Sequence, residues 1–255
     1  MTQAEMMVLV PQKLRQIEEE YGVRILYAAE SGSRAWGTAS PQSDFAVRFI
    51  YIRPQRDYLR LEGIRDVLEF PIEEGWDMCG WDIRKMLTLL HNSNSQIYEW
   101  FASTVVYVDN GFSERLRPVL EAFFSVKTAA NHYLHQAGLK MKKLQKSEEA
   151  KVKHYLYSLQ HLASVQWVLT RRKPVPVSLQ ALLPCLPEKV RGKAEDLLQR
   201  KISHQSHVPH DGELDAWLAE EYSRLEERIR QLPKEEEKDW ETLNRFFLSE
   251  LERME

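Results

Sequence analysis

Residues 30–51 decide the fold of this chain and read Glu-Ser-Gly-Ser-Arg-Ala-Trp-Gly-Thr-Ala-Ser-Pro-Gln-Ser-Asp-Phe-Ala-Val-Arg-Phe-Ile-Tyr. An apolar run at 23–29 predicts one strand, and residues 45–51 predict a second. Small residues at 31–33 predict a tight turn between them, with Arg34 beside it. The stretch is therefore a strand, a small polar turn, a loop, and a strand that opens with the carboxylate of Asp44.

The turn at 31–33 has the chemistry of a phosphate-binding loop. Gly32 lets backbone N–H groups approach an anion closely, because it carries no side chain. Ser33 adds a hydroxyl, and Arg34 adds a permanent positive charge that suits phosphate oxygens. A glycine–serine turn alone is weak evidence, because most such turns only reverse the chain. The serine and aspartate at 43–44, at the head of the next strand, make the pattern specific.

The second strand offers one acidic side chain. Mg²⁺ prefers oxygen ligands and keeps several waters, so two or three carboxylates suffice for a magnesium site. Side chains alternate along a strand, so positions 44 and 46 face the same side of the sheet. Asp44 is acidic, but position 46 is Ala46. We expect a further carboxylate from a neighbouring strand, and Asp77 is the first choice. Asp82 is the second, because it also fits the N-cap of the helix that follows.

Length and composition describe an ordinary globular protein. The chain has 255 residues, 43% of them hydrophobic and 29% charged, and a formal net charge of −3. Any polyanion must therefore be held by a local basic patch. Two cysteines in unrelated contexts argue against a disulfide scaffold or a zinc site. With no signal-peptide pattern and no long apolar run, we expect a soluble, cytoplasmic protein without a membrane partner.

The chain changes character near residue 110. Before that point, predicted strands alternate with helices; the strands cover 23–29, 45–51, 66–70, 76–81 and 105–108. After it the strand signal disappears, and the predicted helices cover 113–124, 127–145, 148–170, 188–202, 212–231 and 236–253. The predicted fold class is α+β, with an α/β domain at 1–110 and an all-helical domain at 111–255.

Several of these segments resemble a bacterial family of predicted nucleotidyltransferases of the polymerase β superfamily, grouped with the RNA-ligase-associated type. The matching segments are residues 32–37, 43–51, 80–85, 98–100, 152–160 and 174–177. The resemblance covers roughly residues 23–185. It implies a polymerase-β-like nucleotidyltransferase domain, followed by a helical domain that closes on substrate and nucleotide.

The resemblance also implies a reaction. A nucleoside triphosphate, ATP or CTP, would donate its nucleoside monophosphate to an acceptor hydroxyl in a Mg²⁺-dependent step that releases pyrophosphate. The catalytic positions would be Asp44, Ala46 and Asp77, and the metal ligands Asp44 and Asp77 with Asp82 as the alternative. The nucleotide contacts would be Gly32, Ser33, Arg34, Ser43, Arg48, Lys153 and Tyr157.

Two positions depart from the family pattern. The family ordinarily has aspartate where this chain has Ala46, so we predict a catalytically impaired protein. Every position beside it keeps the pattern, which favours an engineered replacement, with natural loss as the alternative. Gln160 stands where the family usually has arginine.

The acceptor is predicted from local charge. A basic cluster consists of Lys140, Lys142, Lys143 and Lys146, and residues 171–173 add further cations. Such clustering in a chain of net negative charge favours an RNA backbone, although ordinary solvated lysines are the alternative. Our first choice is an RNA 3′ end, such as that of tRNA. The second is a protein or a small molecule, as in toxin–antitoxin systems, and the rival class is a non-catalytic nucleotide-binding module.

Overall fold

A computed structural model describes residues 2–72, 75–146, 148–236 and 238–254. The chain forms two compact units that interleave along the sequence. The sheet unit comprises Met1–Gly32, Asp44–Phe123 and Glu237–Glu255, and the helical unit comprises Ser33–Ser43 and Phe124–Glu236. The predicted α+β class is confirmed. The domains 1–110 and 111–255 stay a prediction. The two compact units divide the chain at other points, after Gly32, Ser43, Phe123 and Glu236.

The sheet has five strands, each close to a predicted one. They are β1 (Arg24–Ser31), β2 (Phe45–Ile52), β3 (Val67–Glu69), β4 (Trp76–Asp82) and β5 (Val106–Asp109). Their order across the sheet is β3-β4-β2-β1-β5. Strands β2 and β4 run parallel, and the other neighbours are antiparallel. The two parallel strands therefore begin at the same edge of the sheet.

Helices make up most of the remaining regular structure. They are α1 (Gln3–Tyr21), α2 (Gly32–Ala35), α3 (Gln55–Tyr58), α4 (Ile83–His91), α5 (Ser95–Phe101), α6 (Phe112–Phe123), α7 (Val126–Leu144), α8 (Val152–Arg171), α9 (Leu179–Leu182), α10 (Glu188–Ile202), α11 (Gly212–Arg230) and α12 (Glu241–Glu252). Helices α6 and α12 belong to the sheet unit. Among the described residues, no helix combines the length and the apolar character that a membrane span requires.

One face of the sheet packs against α1. The apolar residues of α1 recur at helical spacing, and Met6, Val10 and Leu14 are almost fully buried there. Phe49 of β2 faces them and is also fully buried. Gly80 of β4 leaves room for this ring, because a Cβ atom at residue 80 would lie 2.1 Å from it. On the opposite face, Ala46 and Arg48 lie near the start of β2, and the fully buried Ile50 and Ile52 lie further along it.

The helical unit is built on α7 and α8, which lie along each other and are covered by α10 and α11. It also contains two short strands, β6 (Ala150–Lys151) and β7 (His207–Val208), which pair antiparallel. The prediction that strands end before residue 111 is therefore wrong in this detail. A two-residue strand is too short to show the alternation that reveals strands in a sequence.

Candidate functional site

The sheet brings positions 46 and 77 side by side. Ala46 of β2 is in register with Asp77 of β4, and on its other side with Ser31 of β1. Arg48 lies two residues further along β2, so it faces the same side of the sheet as Ala46. This face therefore presents Ser31, Ala46, Arg48 and Asp77 as neighbours, next to the point where β1 ends. Asp77 occupies the position from which a third carboxylate was expected.

The predicted phosphate turn begins beside Ala46. Gly32 follows β1 with φ of +60°, a left-handed conformation that favours glycine. A Cβ atom at residue 32 would lie 3.6 Å from the Cβ of Ala46. The start of the turn and the position of the missing carboxylate are therefore in van der Waals reach of each other.

Asp77 already has a cationic partner in this chain. The Nη2 of Arg48 donates to Oδ2 of Asp77 at 2.7 Å, and its Nη1 donates to Oδ1 at 3.1 Å. The same Nη1 reaches the Asp77 backbone carbonyl at 2.8 Å. This two-pronged contact is the geometry in which guanidinium and carboxylate bind most strongly. The structure thus places Arg48 on Asp77, while its predicted contact with a nucleotide stays a prediction.

The other two acidic candidates, Asp44 and Asp82, lie at opposite ends of β2 and β4. Asp44 lies directly before β2 and is exposed. The strand begins at the next residue, where the Phe45 N–H donates to the Gly75 carbonyl at 2.8 Å. Asp82 lies about 16 Å along β4 from Asp77. It caps α4 as predicted, because its side chain accepts from the Arg84 N–H at 2.8 Å. The structure therefore does not bring Asp82 to the other candidates.

Asp82 is buried and hydrogen-bonded within the sheet unit. Its carboxylate also accepts a hydrogen bond from the Tyr58 hydroxyl at 3.0 Å, and burial raises the pKa of Asp82. A cavity of about 560 Å³ lies at this end of β4 and is lined in part by Arg53, Tyr58 and Asp82. It holds none of the other predicted site residues.

The acidic groups present do not complete a metal site. Within the described ranges, no group of three or more His, Cys, Asp and Glu side chains could hold a metal ion. Asp44 and Asp77 offer the oxygen ligands that Mg²⁺ prefers, but Asp77 is ion-paired with Arg48. A carboxylate at position 46 would be the third member of the set.

Segment 33–43 of the helical unit is held by its own hydrogen bonds. Arg34 Nη2 donates to the Ser43 carbonyl at 2.7 Å, so two predicted nucleotide contacts touch each other. The Thr38 N–H donates to the Ser33 carbonyl at 2.8 Å, and the Ser40 N–H donates to the Ser43 hydroxyl at 3.0 Å. The loop that follows Gly32 is therefore shaped before any ligand is present.

The predicted face of α8 lies in the same unit. Tyr157 is partly buried, and burial raises its pKa. The Nζ atoms of Lys140 and Lys201 lie 5.8 Å and 6.0 Å from the centre of its ring. Lys201 also donates to the Thr38 carbonyl, and Lys153 is exposed one turn earlier on α8. Sequence reasoning missed Lys201, because nothing in the sequence of α10 links it to α8.

The structure divides the predicted lysine cluster. Lys140 is partly buried against Tyr157, whereas Lys142, Lys143 and Lys146 are exposed. Lys142 follows Lys140 by two residues on a helix, so the two side chains do not share a face. Lys140 and Lys142 therefore lie on different faces of α7, and the three exposed lysines are the ones available to a large ligand.

Sequence reasoning also missed Glu30, which is completely buried at the end of β1. Its Oε1 accepts the backbone N–H of Ala46 at 2.8 Å, and its Oε2 accepts from the Tyr107 hydroxyl. The carboxylate thus holds the backbone of the residue where a metal ligand was expected. The sequence signal that could have identified Glu30 is its position as a charged residue directly after the apolar run at 23–29.

The match to a family model agrees with the resemblance drawn from the motifs. The family model described as RlaP, RNA repair pathway DNA polymerase beta family, matches residues 6–249. The uncharacterized protein YcgL of Bacillus subtilis (strain 168) is 34% identical over 249 residues, which are 95% of each chain. A solved nucleotidyltransferase-like protein from Exiguobacterium sibiricum 255-15 matches with 15% identity and a TM-score of 0.32, over 86% of this chain and 74% of its own. Because the family model spans both compact units, the chain belongs to the RNA repair pathway DNA polymerase β family.

Proposed function

We propose that this chain is a nucleotidyltransferase for RNA ends, in a form impaired by Ala46. It would bind a nucleoside triphosphate, ATP or CTP, and transfer the monophosphate to a 3′ hydroxyl of an RNA such as tRNA. Family membership supports a nucleotidyltransferase of the polymerase β type. The transfer step of the proposal is carried by one observation, the register of Ala46 with Asp77 beside Gly32. The RNA acceptor is supported by the exposed lysines of α7. Nucleotide transfer by an Ala46→Asp variant is its direct test.

The reaction requires a site that binds the phosphates and a site that neutralises their negative charge. The acceptor hydroxyl would give up its proton to water, and its oxygen would form a bond to the α-phosphorus, while the bond from that phosphorus to the bridging oxygen breaks and pyrophosphate leaves. A bound Mg²⁺ supplies charge neutralisation and activation of the hydroxyl in such chemistry. With Ala46 in place, the set of residues that would hold the ion is reduced to Asp44 and Asp77. The segment from Ser33 to Ser43 would bind the outer phosphates through its hydroxyl and guanidinium groups.

Triphosphate binding is expected to survive without a carboxylate at position 46. Calorimetry with each of the four triphosphates should detect binding to the chain with Ala46, because the phosphate turn does not depend on that side chain. Ser33→Ala should weaken binding several-fold, whereas Gln42→Ala, in the same segment and exposed, should not. Binding that is undetectable for all four at millimolar concentration would contradict a nucleotide site at this turn.

RNA binding is expected to depend on the exposed lysines at the end of α7. Replacing Lys142, Lys143 and Lys146 with glutamine should weaken binding of single-stranded RNA and flatten its salt dependence by about two units of slope, if each lysine neutralises one phosphate. Filter binding at several salt concentrations measures both effects. Lys13→Gln with Arg15→Gln, which changes exposed cations of α1, is the control. RNA affinity indifferent to salt and to the three lysines would favour a protein or small-molecule acceptor.

A further inference from the structure

The cavity of about 560 Å³ in the sheet unit has a lining rich in charge. It lies at the opposite end of β4 from Asp77, and every residue of its lining belongs to the sheet unit. Its volume is typical of a site for a small molecule. Five cationic and four acidic side chains line it, so the cations that remain unbalanced decide what it could bind.

Most of the cations at the rim of the cavity are already neutralised. Three of the five pair with neighbouring carboxylates, in the ion pairs Arg60–Glu62, Arg65–Glu69 and Lys85–Asp66. Asp57 also acts on Arg60, because Glu62 raises the pKa of that arginine and the charge of Asp57 raises it further. The guanidinium groups of Arg53 and Arg84 are therefore the cations available to a ligand.

Arg53 is nearly buried without a full set of partners. Its side chain is 12% exposed, and its ion pair with Asp82 spans 3.9 Å from Nε to Oδ2, which is beyond hydrogen-bond distance. Within the described residues, the buried Nε–H donates to no acceptor, while Nη2 donates to the Arg65 carbonyl at 3.4 Å. Buried polar groups are nearly always hydrogen-bonded, so this free donor on a buried cation indicates a place for a ligand or for water.

Tyr58 connects Arg53 to Arg84. Its hydroxyl accepts the Arg53 backbone N–H at 2.9 Å and donates to Oδ2 of Asp82 at 3.0 Å. The Arg84 guanidinium lies over the Tyr58 ring, 5.7 Å from its centre, and among the described residues Arg84 forms no ion pair. Burial raises the pKa of Asp82, whereas Arg53 and Arg84 both lower it, so the two cations act on the same carboxyl group.

We propose that this cavity binds the phosphate group of a small phosphate monoester between Arg53 and Arg84. Guanidinium groups donate in pairs to phosphate oxygens, and two of them match the double negative charge of a monoester. Ile64 and Leu89, partly buried apolar residues of the same lining, would contact the organic part of the ligand. An RNA strand fits less well, because the carboxylates at the rim would repel its successive phosphates. The site is separate from the proposed transfer reaction.

The test uses phenyl phosphate with the full chain, measured by calorimetry without nucleotide or divalent metal. Arg84→Gln should weaken binding at least about 5-fold, because it removes a two-pronged donor. Thr88→Glu should weaken it as well, because it adds a carboxylate to the exposed part of the lining without removing a cation. Arg56→Gln is the matched control and should leave affinity unchanged, since Arg56 is an exposed cation of α3 outside the cavity.

Two further ligands test the chemistry of the site. Benzoate carries a single charge and should bind at least about 10-fold more weakly than phenyl phosphate. Inorganic phosphate should also bind more weakly, because it has no organic group to contact Ile64 and Leu89. Benzoate that binds as tightly as phenyl phosphate overturns the phosphate assignment, and inorganic phosphate that does so overturns the monoester.

The outcomes also separate this site from the phosphate turn. Phenyl phosphate that fails to bind at millimolar concentration, or binds the three variants equally, overturns the site. Binding that Ser33→Ala abolishes and Arg84→Gln leaves intact would assign the phosphate to the turn and overturn the cavity as well. Arg84 and Thr88 are exposed, so both variants should fold, and thermal unfolding is recorded for each.

Discussion

The Ala46→Asp variant is expected to transfer labelled nucleotide to RNA at least about 100-fold faster than the chain with Ala46. The new carboxylate would stand in register with Asp77, on the face that also carries Arg48, and within reach of Gly32. Together with Asp44 it would complete a set of three carboxylates, which supply the oxygen ligands that Mg²⁺ prefers. Charge neutralisation dominates phosphoryl transfer, so the missing ligand is expected to affect rate far more than nucleotide affinity.

The measurement is incorporation of labelled nucleotide into total RNA and, separately, into lysate protein, with and without a chelator. Ala46→Asn is the matched control, because it has the size of aspartate without the charge. Equal activity of the three proteins on every acceptor would rule out the strand bearing Asp44 and Ala46 as the metal site. Retained triphosphate binding without any transfer would favour the non-catalytic nucleotide-binding module.

The Glu30→Ala variant is expected to lose about 3 kcal/mol of unfolding free energy. The substitution removes the acceptor of the partly buried N–H of Ala46 and of the buried hydroxyl of Tyr107. It also opens a cavity, because the glutamate side chain is completely buried. Each unpaired buried donor costs about 1–3 kcal/mol, so the sum is large for one side chain.

Urea unfolding followed by circular dichroism measures this loss. Glu30→Gln keeps an acceptor and should lose about 1 kcal/mol, and Glu19→Ala, on the exposed side of α1, should lose almost nothing. In an Ala46→Asp background, Glu30→Gln should also lower kcat while leaving triphosphate affinity unchanged, because Glu30 positions the backbone of residue 46. Unfolding free energies of Glu30→Ala and wild type that agree within about 0.5 kcal/mol would contradict this role.

Local patterns in the sequence determined the strands of the sheet, one helix cap and the family. Alternation and apolar runs located the five strands of the sheet to within two residues, because these signals act over neighbouring positions. The N-cap at Asp82 was predicted for the same reason, since capping involves residues two or three positions apart. The motif at 32–51 identified the family, which the family model confirmed. Alternation also predicted that position 46 shares a face with Asp44, where the family pattern has a second carboxylate.

Tertiary structure alone decided which side chains meet. Arg48 pairs with Asp77 because β2 and β4 run parallel in one register, which no local pattern reveals. Lys201 reaches Tyr157 because α10 packs on α8, and the pairing joins distant parts of the chain. Helix geometry likewise placed Lys140 and Lys142 on different faces of α7, although they are two residues apart in the sequence. Periodicity depends on neighbours along the chain, whereas charge pairing and burial depend on neighbours in space, so only the folded chain settled these contacts.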